Sequence, residues 1–427
     1  MAAAALVALP ATVLAGLCLG NACKRVDRAQ GRVPFCSLPA ELRSRVASGF
    51  RDARSPHILA VAGRTPISDA RGAWPSLDDA PGESVPLVFA GTGVAAAAEV
   101  PGGTTLDAVA PTLAEIIGLR RPHPGVRSGE AVPGLASGEA PRLVVLVAWK
   151  DVSSGRLERR PKVWPVLRGL MEDGAATLEA DPGSLPLDPA AILTTIGTGA
   201  LPSGHGITGS LVRDDHGAVA RAWDRGAPFS VVAGIGDDLD EIHDQAPRIG
   251  LVVGDSTDRG LIGGDWYIDH DRDDVILERS PESKAAAAEA LLASGYGSDS
   301  TPDLLAVAMT GPVRKLDLSL GRILLAAERA SGGSFMMAVT STGSGGAQDS
   351  GDFAVSDVEA EVELAVGTDV IEDSTPGGFF LDQDEMTRSE LSDDRVVAAL
   401  RSATTADGSP LFADVFPAIA VTFARYC

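Results

Sequence analysis

The chain is poor in the side chains that most often carry metal chemistry. It has only six His and four Cys in 427 residues. No C-x-x-C and no Cys/His cluster occurs, which excludes a zinc site of the thiolate type. Aromatic residues make up just 4% of the chain. Basic residues are outnumbered, 36 Lys and Arg against 58 Asp and Glu, for a formal net charge of −22. Such a surface repels phosphate backbones and anionic lipid, so general nucleic-acid binding and membrane-surface binding are excluded. There is no G-x-S-x-G elbow, no P-loop, and no G-x-G-x-x-G after a strand pattern. Beyond residue 22 no apolar run is long enough to span a membrane.

What is present points to a globular protein, with 45% hydrophobic and 22% charged residues. Residues 2–22, AAAALVALPATVLAGLCLGNA, form an apolar run with small residues at its end. This reads as a secretory h-region with cleavage near Gly20–Ala22, although no Lys or Arg precedes it. LAGLC, ending at Cys18, is close to a lipoprotein box, but Leu17 favours simple cleavage or a retained anchor. A secreted or envelope-associated protein is expected. In that setting Cys23 and Cys36 can pair, and Cys427 is an alternative partner for either.

After a mixed segment over 23–56, with a short helix near Pro39–Phe50, strand-like and helix-like patterns alternate. Apolar runs at His57–Ala62, Val85–Ala90, Leu143–Ala148, Ser230–Ala233, Arg248–Val253, Asp303–Ala308 and Phe335–Thr340 read as buried strands. Leu106–Ile117, Lys162–Asp173, Ala190–Thr198, Ser283–Gly295 and Asp317–Ser331 read as helices. The pattern predicts a three-layer α/β sandwich with a mostly parallel central sheet over 57–348. Residues 349–427 are more acidic and read as a small C-terminal subdomain or sheet extension. Within it, Glu359–Val366 alternates like a half-exposed strand, GGFFLDQ over 377–383 reads as a turn, and Asp393–Arg401 as a short helix.

The segment Pro186–Ile207, PLDPAAILTTIGTGALPSGHGI, is the most specific in the chain. It resembles the nucleophile segment of the nucleotide pyrophosphatase/phosphodiesterase branch of the alkaline phosphatase superfamily. Pro186, Thr195, Thr198, Gly199, Pro202, His205, Gly206 and Ile207 fall on that frame. The nucleophilic Thr position holds Pro189, which has no hydroxyl and cannot attack phosphorus. The Asn-His pair is replaced by Ile192 and Leu193. Arg142–Val147 and Lys162–Ala175 resemble the family's opening strand and helix, but the metal-binding Asp position is Ala148, with Trp149 beside it. Thr301–Ala308 resembles the strand before a D-x-x-x-H metal motif, and no His follows. Phe335–Ser341 resembles the strand before the family's Asp-His pair, whose positions hold Thr342 and Gly343.

Val85–Leu119 resembles the family's closing segment, with Arg71 near the place of its last metal-binding His. Here the closing segment, 57–128, comes before the opening strand, which implies a circular permutation joined near Gly125–Pro141. The resemblance implies an alkaline-phosphatase-like fold whose metal and nucleophile positions are emptied of chemistry. A two-metal site needs converging carboxylates and imidazoles, and no His stands at a family metal position. The expectation is therefore a non-catalytic relative with no resident cofactor that binds a protein or small molecule. Thr194, Thr195, Trp149 and Arg71 are expected to line its cleft. Two other readings stay open. One is a structural role in the cell envelope. The other is a divergent hydrolase with calcium or magnesium held by Asp265, Asp269 and Asp273 in the acidic loop 265–274, which also reads as a solvated turn.

Overall fold

The computed structural model describes residues 35–63, 67–69, 72–76, 83–96, 98–264, 266–267, 273–343, 353–405, 408–423 and 427. The main strands, in chain order, are β1 (Ile58–Ala62), β2 (Val85–Gly91), β3 (Leu143–Lys150), β4 (Ala175–Ala180), β5 (Ile249–Val253) and β6 (Asp274–Leu277). They continue with β7 (Asp303–Thr310), β8 (Phe335–Ser341), β9 (Ile371–Thr375), β10 (Gly378–Leu381) and β11 (Phe412–Pro417). The main helices are α1 (Ala40–Gly49), α2 (Val109–Ile117), α3 (Pro165–Asp173), α4 (Pro189–Thr198) and α5 (Ile235–Ile242). They continue with α6 (Pro281–Ala293), α7 (Val313–Ser331), α8 (Val355–Val366) and α9 (Asp393–Ser402).

Seven strands form the central sheet in the order β6-β5-β7-β3-β8-β2-β4. Only β2 runs against its neighbours; the other pairings are parallel. Because side chains alternate across a strand, β3 feeds both layers. Val144, Leu146 and Ala148 face a core shared with α2, α4 and α5. Leu143, Val145, Val147 and Trp149 face a second core shared with α3, α6 and α7. The protein is thus a three-layer α/β sandwich, as the alternation of apolar runs and helical patterns predicts.

Local signals set several helix ends. Asp188 caps α4 through the Ala190 N–H, Pro189 follows at the first helical position, and Gly199 ends the helix at a left-handed φ of 77°. Ser280 and Ser283 form a reciprocal cap on α6.

A second sheet, antiparallel throughout, has the order β9-β10-β1-β11. This sheet joins residues 58–62 to strands of the C-terminal region. Strand β1, expected in the central sheet, is taken into this one. Its five residues are buried on both faces, so its apolar run is indistinguishable by pattern from a parallel central strand. Three other expectations change. Glu359–Val366 lies in helix α8, where Val355, Val358 and Val362 are buried at helical spacing while Leu364 is 86% exposed. The expected turn over 377–383 holds strand β10. Ser230–Ala233 is irregular, because the Ser230 hydroxyl bonds its own turn, donating to Val232 O and accepting from Val232 N–H. Cys36 is bonded to Cys427, so the pairing is the terminal alternative and not Cys23 with Cys36. Cys23 lies outside the described residues.

Candidate functional site

In an open α/β sheet, ligands meet the carboxyl ends of the parallel strands, where loops converge. Here Lys150 ends β3. Its ammonium lies 2.7 Å from Asp258 Oδ1, in the 3₁₀ helix Ser256–Leu261 that follows β5. Asp258 is fully buried and Lys150 is partly buried. The second oxygen, Asp258 Oδ2, is buried with no hydrogen-bond partner among the described residues. Lys284 of α6 reaches the same region and donates to Ala308 O at 2.8 Å. Burial, opposed by Asp258 and reinforced by Lys150, pushes its ammonium down to about 8. Asp151, at φ 60°, has a carboxyl raised by burial, partly offset by Lys150 and Arg156.

The N-terminus of α4 closes the other side. Asp188 is fully buried there. Its Oδ1 accepts the Ala190 N–H, and its Oδ2 accepts both the backbone N–H and the hydroxyl of Ser210 at 2.9 Å. Burial raises its pKa, while the Ser210 and Ala190 donors and the Lys150 ammonium lower it in part. A helix N-terminus attracts an anion; the protein's own carboxylate holds this one.

The positions singled out in the sequence are distributed unevenly around this centre. Pro189 follows Asp188 directly. Ala148 faces the α4 layer, while Thr342 lies at the end of β8, accepting the Asp151 N–H at 3.2 Å. Gly343 has φ 81°, and a Cβ there would meet Leu187 at 2.9 Å. Three expected cleft-lining residues are core residues instead. Trp149 points to the opposite layer by strand alternation and is 0% exposed. Thr194 and Thr195 are fully buried, because α4 is surrounded, and their hydroxyls donate to Ala190 O and Ala191 O one turn back. Arg71, Asp265 and Asp269 lie outside the described residues. Asp273 is ion-paired with Arg259.

The residues do not fit the pair of divalent cations that the motif resemblance implies. Ala148 and Gly343 offer no donor, Asp258 is engaged by an ammonium, and Asp188 is spent on α4 and Ser210. An ammonium at the centre repels a second cation. Among the described residues no three His, Cys, Asp or Glu side chains converge as a metal-binding group.

Sequence reasoning missed Lys150, Asp258, Lys284 and Asp188. Two had local signals: Lys150 is the polar residue closing an apolar strand, and Asp188 precedes a helix-starting Pro. The other two become neighbours only through strand order.

His205 is a fully buried neighbour of α4. Its Nδ1 accepts the Ile207 N–H at 3.1 Å and its Nε2 lies 3.1 Å from Thr195 Oγ1. The Thr195 hydroxyl donates onward to Ala191 O, so Nε2 carries the proton of a neutral ring. Burial lowers its pKa from 6.5 to about 3. Between those values the unfolded chain binds more protons than the folded one, so stability falls as pH drops through that window. Asp237, raised to about 7 chiefly by burial, acts with the opposite sign, losing its contribution as pH rises through 7. Wild type compared with His205→Gln isolates the histidine. From pH 6 to 4 wild type is expected to lose about 1.4 kcal/mol per pH unit more than the variant. Parallel urea-derived stability curves would reject this assignment.

No protein-family model matches the chain, and no curated protein matches it. Among solved structures it is similar to the crystal structure of wild-type alkaline phosphatase PafA, at 15% identity and a TM-score of 0.43. The match covers 61% of this chain and 76% of that one.

Proposed function

We propose that this chain is an exported, alkaline-phosphatase-like protein that binds a ligand or partner and does not hydrolyse phosphoesters. The observation that carries the reading is the Lys150–Asp258 pair beside Asp188. Where the motif frame places metals and a nucleophile, the chain has Ala148, Thr342, Gly343 and Pro189, and the Lys150 ammonium and the helix-capping Asp188 stand beside them. A phosphoryl group entering there would meet Asp188 at the helix N-terminus and find no hydroxyl at Pro189. The order of the motif-bearing segments supports a circular permutation joined within 125–141. Export is supported by the apolar N-terminal run and by the Cys36–Cys427 bond, a linkage of oxidising compartments.

The test is hydrolysis of p-nitrophenyl phosphate and bis-p-nitrophenyl phosphate by the purified chain, with added zinc, manganese or magnesium and with chelator. Turnover at the level of buffer under every condition is expected. A rate restored by metal and abolished by chelator would overturn the reading.

A further inference from the structure

Strand β6 is one edge of the central sheet, with no further strand beside it among the described residues. Its register with β5 is parallel, and the Glu278 N–H continues the ladder to Val253 O at 2.8 Å. In a parallel pair, alternate residues turn both backbone groups to the same neighbour. Asp274 and Ile276 therefore serve β5, and Val275 and Leu277 turn their N–H and C=O groups outward. No described residue pairs with those outward groups. The side chains of Val275 and Leu277 are 41% and 58% exposed. Natural sheets usually blunt such an edge with charge, proline or a covering segment.

A cleft of about 950 Å³ runs along this edge. Val275 and Ile276 both line it, although neighbouring strand residues point to opposite faces. The cleft thus wraps the edge itself, which is the space an added strand takes. Across it stand Phe229, 52% exposed, and Trp223, whose indole N–H is buried without a partner among the described residues. The lining carboxylates are engaged within the fold: Asp224 by Ser256, Asp273 by Arg259, and Asp274 by the Tyr296 hydroxyl. The guanidinium of Arg225 is exposed and has no partner among the described residues. It is the cation of the cleft without a carboxylate partner among the described residues, while Asp274, held by a neutral hydroxyl, keeps its own negative charge on the strand.

We infer that β6 receives an extended peptide segment of a partner protein, added as an eighth strand. Backbone pairing to Val275 and Leu277 supplies affinity, Phe229 and Trp223 accept apolar side chains, and Arg225 binds one carboxylate of the segment. A net charge of −22 disfavours a second copy of this chain as occupant, and limits the segment to one acidic residue among neutral or basic ones. This inference does not depend on the loss of hydrolysis.

The experiment pans a displayed library of random seven-residue peptides against the purified full chain. The enriched peptide is then synthesised, and its binding is measured by fluorescence anisotropy. Two variants separate the contributions. Val275→Pro deletes an N–H that the fold does not use, at an edge position where proline is tolerated. Arg225→Glu reverses the free charge. Enrichment of alternating apolar residues with one acid is expected. Each variant should weaken binding at least about tenfold, the effect of losing an interface anchor. N-methylation of the peptide should abolish binding at alternate positions in one phase only. If Val275→Pro fails to melt like wild type, Arg225→Glu and the methylated peptides decide. Three results would overturn the inference. They are no enrichment, equal binding to both variants, or a dimeric chain that Val275→Pro makes monomeric.

Discussion

Asp238→Ala is expected to destabilise the protein by about 3–5 kcal/mol, the cost of breaking a buried ion pair from one side. Asp238 is fully buried on the first turn of α5. Its Oδ2 lies 2.6 Å from Arg121 Nε and 2.7 Å from an Arg127 terminal nitrogen, and its Oδ1 accepts the Tyr267 hydroxyl at 2.8 Å. Both arginine side chains are nearly excluded from water, at 6% and 5% exposure. Burial pushes Arg121 down to about 10 even with Asp238 present. Without the carboxylate, two guanidinium groups repel each other in a region of weak screening.

The same arginines serve a second purpose. Both donate to Thr198 O, the last residue of α4, and Arg121 also donates to Ala233 O. They cap the α4 C-terminus, where cations favour the helix dipole, and tie residues 121–127 to α4 and α5. Asp238→Asn, which removes the charge and keeps the shape, should cost nearly as much as alanine in urea denaturation. The triple change Arg121→Met, Arg127→Met, Asp238→Leu should recover much of the loss, because an apolar core of similar volume often replaces a buried ion pair at little cost. A loss below about 1 kcal/mol for alanine would mean that water reaches the arginines.

Reducing the Cys36–Cys427 bond, or replacing Cys36 by Ser, should destabilise the protein by about 2–4 kcal/mol, with about 6 kcal/mol as the chain-entropy ceiling for so long a loop. The bond spans 391 residues. It closes nearly the whole chain into one covalent loop, and so restricts the unfolded ensemble more than the folded state. It also pins a core of its own, in which Phe35, Leu42, Val46 and Phe50 pack against Phe416 and Val421. The Phe35 and Phe416 rings lie 4.8 Å apart. Thermal melts with and without reductant, with free thiols titrated at the end of each, provide the measurement. Full thiol exposure with an unchanged midpoint would sink the prediction.

How much of this was legible in the sequence differs between the layers and the site. The strands β2, β3, β5, β7 and β8 and the helices α2 to α4, α6 and α7 lie where their patterns place them. A buried strand and a capped helix are each encoded within about ten neighbouring residues. Strand β1 was legible as a strand but not as a member of the second sheet, since five buried apolar residues do not say which sheet buries them. The segment Glu359–Val366 was misread, because Ala360, Val362, Leu364 and Val366 alternate over that short window, whereas the buried face of the helix is Val355, Val358 and Val362.

The amino-acid sequence by itself determined the α/β alternation, the caps of α4 and α6, the acidic surface and the absence of a hydroxyl at Pro189. Each of these is a property of a residue or of its near neighbours in the chain. Only the tertiary structure decided that Trp149, Thr194 and Thr195 are core residues, and that Asp258, 108 residues beyond Lys150, is its counter-ion. Strand order brings those groups together, and strand order is set by packing across the whole sheet, which no local pattern records.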